Sequence, residues 1–459
     1  MQSLDEMDAA GEEIPEPPEW MNEAPPPEEQ QRRVLPDAVT VQDFHAYMPA
    51  HSYLYTPTRE PWPAASVNSR IPPIDIGAKK PIPASAWLDR FRPVEQMTWC
   101  PGLPMVIEDK LISGGGWIER PGVNTFNLYL PPTALEGDKD KADPWLEHVV
   151  KVFPGEAGHI VHWLAHRVQR PSEKINHAIV FLGDQGIGKD SILEPVKYAI
   201  GPWNFAEVSP AQLLGRFTGF MKSVILRISE ARDLGDVDRY AFYEHTKVYT
   251  AAPPDVLRCD EKFLREHAVM NVCGVVITTN HIDGIYLPPD DRRHFVAGSD
   301  LKKEDFPADY WRDLHGWYRN GGIEHVAAYL ASLDLSSFDP KAPPPKTAAF
   351  WRCVNAGRAP EDGEVADALE ALKNPPAITI DMIAIYTTED FRLWLKDRRN
   401  SRQIPHRLKD AGYVAVENAS ARDGLWKLDG RRQVIYARRE LAERDRIAAA
   451  TNLAREGRA

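Results

Sequence analysis

The sequence predicts an α/β protein built around a parallel sheet, and two observations carry that prediction. Three apolar, strand-like runs occur in order, HAIVFLG at 177–183, SVILRIS at 223–229 and VCGVVITTN at 272–280. Stretches with helical periodicity separate these runs. Strands that alternate with helices pair in parallel, because each helix returns the chain to the same end of the sheet.

The chain is long enough for more than one domain. Its 459 residues, 43% of them hydrophobic, exceed the usual size of one domain and can bury a large core. The sequence divides into a disordered, acidic, Pro-rich tail (1–39), a small irregular β-containing module (40–137), a helical lead-in (138–170), the α/β domain (171–335), a Pro-rich linker (336–375), a winged helix (376–440) and a C-terminal helix or tail (441–459). The winged helix is predicted from three short helical stretches followed by two β-rich runs.

Charge is distributed unevenly along the chain. Residues 1–31 contribute most of the net charge of -12, because they contain ten Asp and Glu and no Lys or Arg. From residue 381 to the end, 17 Lys and Arg stand against 12 Asp and Glu. A basic surface near the C-terminus suits a nucleic acid partner.

Cysteine use and hydropathy argue against several classes of protein. The four cysteines are not grouped at metal-ligand spacing, and a chain of this size does not need disulfides. No apolar run approaches the roughly 18 residues of a membrane span. The acidic N-terminal segment lacks the basic region of a signal peptide. We therefore expect a cytoplasmic protein with reduced thiols and no membrane association.

A glycine-rich loop follows the first strand of the α/β domain. The stretch GDQGIGKDS lies between that strand and the helical run SILEPVKYAI. Glycines let the backbone approach phosphates closely, and amides at a helix N-terminus bind them. The following lysine would reach the β- and γ-phosphates, as in a P-loop. The predicted nucleotide-binding residues are Gly183, Asp184, Gln185, Gly186, Ile187, Gly188, Lys189, Asp190 and Ser191.

The predicted magnesium site departs from the usual pattern of such loops. Asp190 occupies the position where Ser or Thr is usual, and Ser229 follows the second strand where an acidic residue is common. Glu230, the next residue, is suited to polarise the attacking water. We interpret this as an exchange of ligand types around Mg²⁺, with Asp190, Ser229 and Glu230 at the ion. In the alternatives, Ser191 is the ligand or the site is impaired.

Two further polar features follow the third strand. Asn280 ends that strand, where an amide can sense the γ-phosphate and orient water. Arg292 and Arg293 lie in PPDDRRHF, just before another apolar run. They are either an arginine finger for the nucleotide of a neighbouring subunit or surface groups paired with Asp290 and Asp291.

Taken in this order, the motifs resemble those of superfamily-three helicases. The resemblance rests on GDQGIGKDSILEPVK, FTGFMKSVILRISEARD, GVVITTN and DDRRHF, and covers roughly residues 150–335. It is closest to the helicase part of primase-helicases from phages, plasmids and large DNA viruses. It implies a P-loop NTPase core of AAA+-like type in a phage or prophage protein of a bacterial cell.

The resemblance also implies how such a protein would work. ATP and Mg²⁺ would bind between subunits of a hexameric ring, and Arg293 or Arg292 would complete the neighbour's site. Lys189 would bind phosphate, Glu230 would be the catalytic carboxylate and Asn280 the sensor. Hydrolysis would move the ring along single-stranded DNA. A primase would be another chain or a lost domain, since no primase site is evident, and a separate primase or polymerase is a candidate partner.

Several basic residues are candidates for DNA contacts. By the resemblance, KVYTAAPPDVLRCDEKFLRE reaches into the ring channel, with Lys262 the first candidate and Arg258 and Arg265 the weaker ones. In the C-terminal unit the candidates are Arg402, Arg407, Lys409, Arg431 and Arg432. The alternatives are a solvated helix surface with local ion pairs, or a winged helix that docks a protein.

Three functions are compatible with these patterns. The first is an ATP-dependent DNA helicase or translocase. The second is a regulator or replication loader that binds ATP and DNA but hydrolyses slowly and unwinds nothing, which the unusual Asp190 and Ser229 favour. The third is a small-molecule kinase, which would need neither the paired arginines nor a basic C-terminal unit.

Overall fold

The computed structural model describes residues 39–229, 239–262, 264–356, 360–397, 400, 404–428 and 430–456. Two of the predicted site residues, Glu230 and Arg402, lie outside the described residues. The contacts divide the chain into two units. The first extends to Thr98 and includes Pro104–Ile112 and Trp117–Leu128, and the second contains the remainder.

The first unit consists of two small sheets and two helices. One sheet has the strand order β3-β2-β1-β4 and the other the order β5-β7-β6. Their strands are β1 (Phe44–Tyr47), β2 (Ser52–Tyr55), β3 (Pro61–Pro63), β4 (Pro93–Val94), β5 (Gln96–Thr98), β6 (Val106–Ser113) and β7 (Gly116–Asn127). The helices are α1 (Ala64–Arg70) and α2 (Ala84–Phe91). Phe44, Val67 and Leu88 are fully buried where the first sheet meets the helices.

A five-stranded parallel sheet forms the centre of the second unit, which confirms the predicted α/β fold. Its order is β14-β8-β13-β10-β9, and each pair is parallel. The strands are β8 (Ala178–Leu182), β9 (Phe205–Val208), β10 (Ile225–Ile228), β13 (Gly274–Thr279) and β14 (His294–Gly298). All five residues of β8 are buried, as expected for a central strand covered on both faces.

Helices and one hairpin complete the α/β part of the second unit. The helices are α3 (Asp143–Val152), α4 (Ala157–Gln169), α5 (Lys189–Ala199), α6 (Pro210–Leu213), α7 (Arg239–Thr250), α8 (Ala308–Trp317) and α9 (Ile323–Ser332). The antiparallel hairpin consists of β11 (Val256–Cys259) and β12 (His267–Met270). Phe153, just after α3, stacks on Phe181 of β8 at 5.0 Å between ring centroids. This packing anchors the predicted helical pair, α3 and α4, to the sheet.

The C-terminal part contains six helices and five short strands among its described residues. The helices are α10 (Ala348–Ala356), α11 (Pro360–Ala371), α12 (Ile380–Ile385), α13 (Glu389–Lys396), α14 (Ile404–Asp410) and α15 (Glu443–Glu456). The strands are β15 (Ala377–Ile378), β16 (Tyr413–Val416), β17 (Trp426–Leu428), β18 (Arg431–Gln433) and β19 (Ile435–Arg438). Thus α12, α13 and α14 precede antiparallel strands, in the order that the sequence predicts.

The stretch expected to be a linker, 336–375, differs from that expectation. It contains α10 and α11 after its Pro-rich beginning. Helix α10 is amphipathic and buries Ala349, Phe350, Cys353 and Val354, so it packs as part of the domain. The prolines suggested a linker, but the apolar face of the next ten residues outweighs them.

The described residues include no helix long and apolar enough to cross a lipid bilayer. All four cysteines are buried and free of disulfides.

Candidate functional site

The glycine-rich loop joins the end of β8 to the start of α5. Gly186 and Gly188 have φ values of 85° and 89°, a backbone conformation that favours glycine. A Cβ atom on Gly188 would lie 2.5 Å from a ring atom of His148 and from one of Trp311. Both the conformation and the close packing therefore require glycine at position 188.

Lys189 is the first residue of α5, and its ammonium group lies at the end of the sheet. The side chain is buried, with 7% of the residue exposed. Its Nζ donates to Asn280 Oδ1 at 2.6 Å and to the carbonyl oxygen of Thr279 at 3.3 Å. It also donates to the carbonyls of Gly183 and Asp184. The predicted sensor and the predicted phosphate ligand are thus in direct contact.

The environment of Lys189 lowers the pKa of its ammonium group. Burial lowers the pKa of Lys189 to about 8, and the guanidinium of Arg227 acts in the same direction. The carboxylates of Asp190 and Asp184 oppose this shift. An ammonium ion that is partly desolvated in this way favours an anion as its partner.

A cavity of about 410 Å³ opens over the loop. Seven of the predicted residues line it, namely Gln185, Gly186, Gly188, Lys189, Asp190, Ser191 and Asn280. The cavity is also lined by Thr278 and by three further residues that the sequence did not indicate, namely Arg227, Lys303 and Trp311. Arg227 lies within a strand and the other two lie more than 110 residues beyond the loop, so no local motif could have identified them.

Of the three residues predicted at the magnesium ion, Asp190 lines the cavity, Ser229 does not, and Glu230 lies outside the described residues. Asp190 Oδ1 lies 2.5 Å from a terminal nitrogen of Arg227. Ser191 lines the same cavity, and its carbonyl accepts a hydrogen bond of 2.8 Å from Tyr318. Ser229, which the structure also describes, follows β10 and is not among the residues lining the cavity. The exchange of ligand types therefore stays a prediction, and Arg227 is a cation that an ion at Asp190 would have to displace.

The arginine loop, residues 290–293, is held by a buried carboxylate. Asp291 is 4% exposed and accepts hydrogen bonds from the backbone nitrogens of Arg293 and His294, both at 2.9 Å. It also accepts from Tyr243 Oη at 2.8 Å and His294 Nδ1 at 3.1 Å. Burial opposes ionisation of Asp291, but these bonds outweigh it and lower its pKa to about 2. Asp291 therefore shapes the loop instead of pairing with an arginine side chain.

Arg292 and Arg293 lie at a different place from Lys189. Among the described residues, neither guanidinium has an ion pair. Both line a second cavity of about 820 Å³, together with Tyr240, Tyr243 and Lys409.

The register of the sheet explains this separation. Strand β14 runs parallel to β8, with His294 opposite Ala178 and Gly298 opposite Leu182. The arginine loop therefore precedes the start of β14, whereas the glycine-rich loop follows the end of β8. At about 3.3 Å per residue, the two loops are separated by at least about 13 Å along the strands.

The predicted DNA contacts fall into two groups. Lys262, between β11 and β12, is exposed, as are Lys409 and Arg431. Arg258 Nε lies 3.0 Å from Glu266, and Arg432 lies 2.6 Å from Asp423. These two arginines are in ion pairs at the surface.

Arg407 is half-buried, and the carbon of its guanidinium lies 5.1 Å from the centre of the Trp394 ring. Its contact with the ring is a structural one within the C-terminal unit.

Comparison with known structures defines the fold. The apo C-terminal region of NrS-1 superposes with a TM-score of 0.59 at 15% identity, over 86% of this chain and 95% of that one. A second apo form of the same region gives 0.58 at 14% identity, over 86% and 96%. This chain therefore has the fold of the NrS-1 C-terminal region. A JCV helicase chain, at 0.29 and 11% identity over 51% of this chain and 65% of that one, is too distant to bear on the fold.

The sequence comparison leads to the same relative. The DNA primase-polymerase of Nitratiruptor phage NrS-1 is 21% identical over 224 residues, which is 47% of this chain. The matched stretch spans 30% of the relative's length. No protein family model matches the chain.

Proposed function

We propose that this chain is an ATP-dependent DNA helicase or translocase of phage or mobile-element replication. One observation carries the proposal: the buried ammonium of Lys189, at the start of a helix that follows a glycine-rich loop, contacts Asn280 at 2.6 Å. The predicted phosphate ligand and the predicted γ-phosphate sensor are therefore in contact at one end of a parallel sheet, which supports the proposal. A triphosphate would replace the loop carbonyls as the partner of Lys189.

The donor set of the cavity fits a magnesium nucleotide. Backbone amides at the start of α5 and the ammonium of Lys189 would neutralise the phosphates. Bound Mg²⁺ would supply further neutralisation of charge, and Asp190 or Ser191 would hold it. Trp311 offers an aromatic face in the same cavity, suited to packing against a base.

Hydrolysis would need groups beyond this cavity. Asn280 uses its carbonyl oxygen for Lys189, which leaves the amide nitrogen to orient the attacking water. Glu230 stays the predicted catalytic carboxylate. Arg292 and Arg293 lie too far along the sheet to reach a nucleotide in the same chain, which supports a ring in which they serve the neighbour.

Single-stranded DNA is the proposed track. Lys262 is exposed between β11 and β12, and Lys409 and Arg431 are exposed in the C-terminal unit, which we propose is a winged helix. A relative named as a phage DNA primase-polymerase supports a place in replication. A hexameric ring, and a separate primase or polymerase as partner, belong to this proposal.

A regulator or replication loader is the second candidate. The contact between Asp190 and Arg227 favours it, because a guanidinium at that carboxylate competes with Mg²⁺ and would slow hydrolysis. Such a protein would bind ATP and DNA without sustained turnover.

ATP hydrolysis with and without single-stranded DNA tests the proposal. We expect DNA to stimulate turnover, and Lys189→Ala to reduce it by about 100-fold or more. Lys197→Ala, which removes another lysine of α5 that does not line the cavity, is the matched control and should stay active. ATP binding without turnover under any DNA would instead support the loader, and a phosphorylated small-molecule product would support a kinase.

A further inference from the structure

A second polar cluster lies at the end of the β11–β12 hairpin. It consists of Cys259, Glu261 and His267, whose sulfur, carboxylate oxygen and ring nitrogen lie within 4.8 Å of one another. Cys259 and His267 are directly opposite in the antiparallel register, so their side chains are on the same face. Glu261 follows Cys259 by two residues. The hairpin therefore assembles the cluster from residues that are separated in sequence.

The imidazole of His267 has a buried ring nitrogen that can act as a metal ligand. His267 is 6% exposed, and its Nε2 is buried without a hydrogen-bond partner among the described residues. Its Nδ1 lies 3.3 Å from the carbonyl oxygen of Arg265. A carbonyl only accepts, so Nδ1 carries the proton and Nε2 presents a lone pair. Histidine ligands of metals commonly donate their other nitrogen to a backbone carbonyl in this way.

The distances match a tetrahedral ion. Cys259 Sγ lies 3.7 Å from Glu261 Oε2, and His267 Nε2 lies 3.9 Å from the same oxygen. With bonds of about 2.3 Å to sulfur and 2.0–2.2 Å to nitrogen and oxygen, tetrahedral ligand atoms are about 3.4–3.6 Å apart. These two separations exceed the tetrahedral values by only a few tenths of an ångström, and the third, between the sulfur and the imidazole nitrogen, is no more than 4.8 Å.

We propose that Cys259, Glu261 and His267 bind a divalent ion of the zinc class, with water as the fourth ligand. A thiolate, an imidazole and one carboxylate are the ligands that Zn²⁺ favours over Mg²⁺ or Ca²⁺. The site would be distinct from the magnesium site expected at the glycine-rich loop, since none of its residues lines that cavity.

The ammonium group of Lys222 would compete with a metal ion for the carboxylate of this site. Its Nζ lies 2.6 Å from Glu261 Oε2, the oxygen that the other two ligands also face. A cation is therefore already stabilised beside this carboxylate, and an incoming metal ion would displace it or leave it on the other oxygen. Removing the positive charge of Lys222 should tighten metal binding.

The site would secure the segment that carries Lys262. Residues 260–266 connect the two strands, and Asp260 is hydrogen-bonded to Thr218 through both backbone groups, its nitrogen at 3.0 Å and its oxygen at 2.9 Å. An ion joining Cys259, Glu261 and His267 would tie both ends of this segment together. An effect on DNA contact through Lys262 rests on the proposed function, whereas metal binding does not.

Metal titration of the full chain tests the proposal. After treatment with a chelator, the protein is titrated with Zn²⁺ and with Co²⁺, whose absorption reports thiolate ligation and tetrahedral geometry. We expect one ion per chain, and a loss of affinity of at least about 100-fold in Cys259→Ala, because removing a ligand costs more than disturbing its hydrogen-bonded supports. Cys353→Ala, at another fully buried cysteine, should bind like the wild type.

A second pair of measurements keeps the test decisive if Cys259→Ala does not fold. Lys222→Met should bind Zn²⁺ more tightly than the wild type. Hydrogen exchange of amides 256–270 should slow when Zn²⁺ is added to the wild type. Absence of stoichiometric binding in both wild type and Lys222→Met would overturn the proposal, as would equal loss of the cobalt spectrum in Cys259→Ala and Cys353→Ala. These readouts do not depend on ATP hydrolysis.

Discussion

The glycine-rich loop and the arginine loop each present basic side chains beside acidic ones, yet they differ in how many contacts those basic side chains make within the described residues. Lys189 is buried and makes hydrogen bonds to groups at the ends of two strands. The backbone around Arg293 is ordered by Asp291, while its guanidinium has no ion pair among the described residues. At the glycine-rich loop, the basic side chain is already held by hydrogen bonds within the chain. At the arginine loop, the backbone is ordered, but the guanidinium has no ion pair among the described residues.

The position of each loop explains this difference. The two loops lie at opposite ends of the parallel strands β8 and β14. The arginines therefore lie at the opposite end of the strands from Lys189, and under the proposed function a second copy of the chain would supply them to the nucleotide. In a ring of identical subunits, each interface would combine one loop of each kind.

The largest expected effect comes from the arginine loop itself. Arg293→Ala should lower kcat for ATP by at least about 100-fold, because an arginine finger stabilises charge that develops during phosphoryl transfer. ATP affinity should change little, since the residue lies outside the cavity that holds Lys189. Steady-state kinetics and equilibrium nucleotide binding measure the two quantities separately.

Two control variants sharpen this prediction. Arg312→Ala removes an exposed arginine that pairs with Asp309 and Asp313, and it should leave kcat unchanged. Arg292→Ala should have the smaller effect of the two loop variants. If Arg292→Ala is the more damaging, the roles of the two arginines are reversed.

The next effect concerns the magnesium ligand in the glycine-rich loop. Asp190→Ala should raise the Mg²⁺ concentration for half-maximal hydrolysis by about tenfold, and Ser191→Ala should raise it less. The contact between Asp190 and Arg227 makes this test informative, since Asp190→Ala also frees the guanidinium. The opposite ranking, found by titrating Mg²⁺ at saturating ATP, would identify Ser191 as the ligand.

A smaller effect is expected from the carboxylate that orders the arginine loop. Asp291→Asn removes the charge that accepts from His294 and Tyr243, and should destabilise the fold by about 1–3 kcal/mol. As a positioning residue it should lower kcat several-fold while leaving ATP affinity intact. Asp290→Asn serves as the control, and a fall in affinity instead of kcat would contradict this role.

At pH 8 and below, the smallest effect is a pH dependence of ATP binding. Burial lowers the pKa of Lys189 to about 8, so the ammonium is charged below that pH and neutral above it. Because phosphate favours the charged form, affinity should fall as pH rises, roughly twofold at pH 8 and roughly tenfold at pH 9. Binding measured from pH 6.5 to 9 checks this, and a flat profile would mean that Lys189 does not bind phosphate through its charge.

Contiguous patterns in the sequence predicted the central sheet well. The strand positions of β8, β10 and β13 lie within two residues of the predicted runs, because a buried parallel strand is continuously apolar. Lys189 was identified by the glycine-rich loop that follows such a strand, and Asn280 was identified because it adjoins the end of one. The two helices within 336–375 were missed because prolines at the start of this stretch obscured the apolar face of α10.

Contacts between distant segments were not predictable in the same way. Arg227 lies in the middle of β10, and only the order of strands in the sheet brings it to Asp190. Cys259 and His267 have no recognisable spacing until the hairpin register sets them opposite each other. In each case the missing information was pairing between strands, which one sequence does not specify.

Mixing two inactive variants tests the central claim most directly. In a mixture of Lys189→Ala and Arg293→Ala chains, some interfaces combine an intact glycine-rich loop from one subunit with an intact arginine loop from the next. If the arginine acts between subunits of a ring, random mixing in equal amounts should restore roughly a quarter of the wild-type DNA-stimulated turnover. If both loops serve one nucleotide within one chain, the mixture will be as inactive as either variant alone, and the account is contradicted.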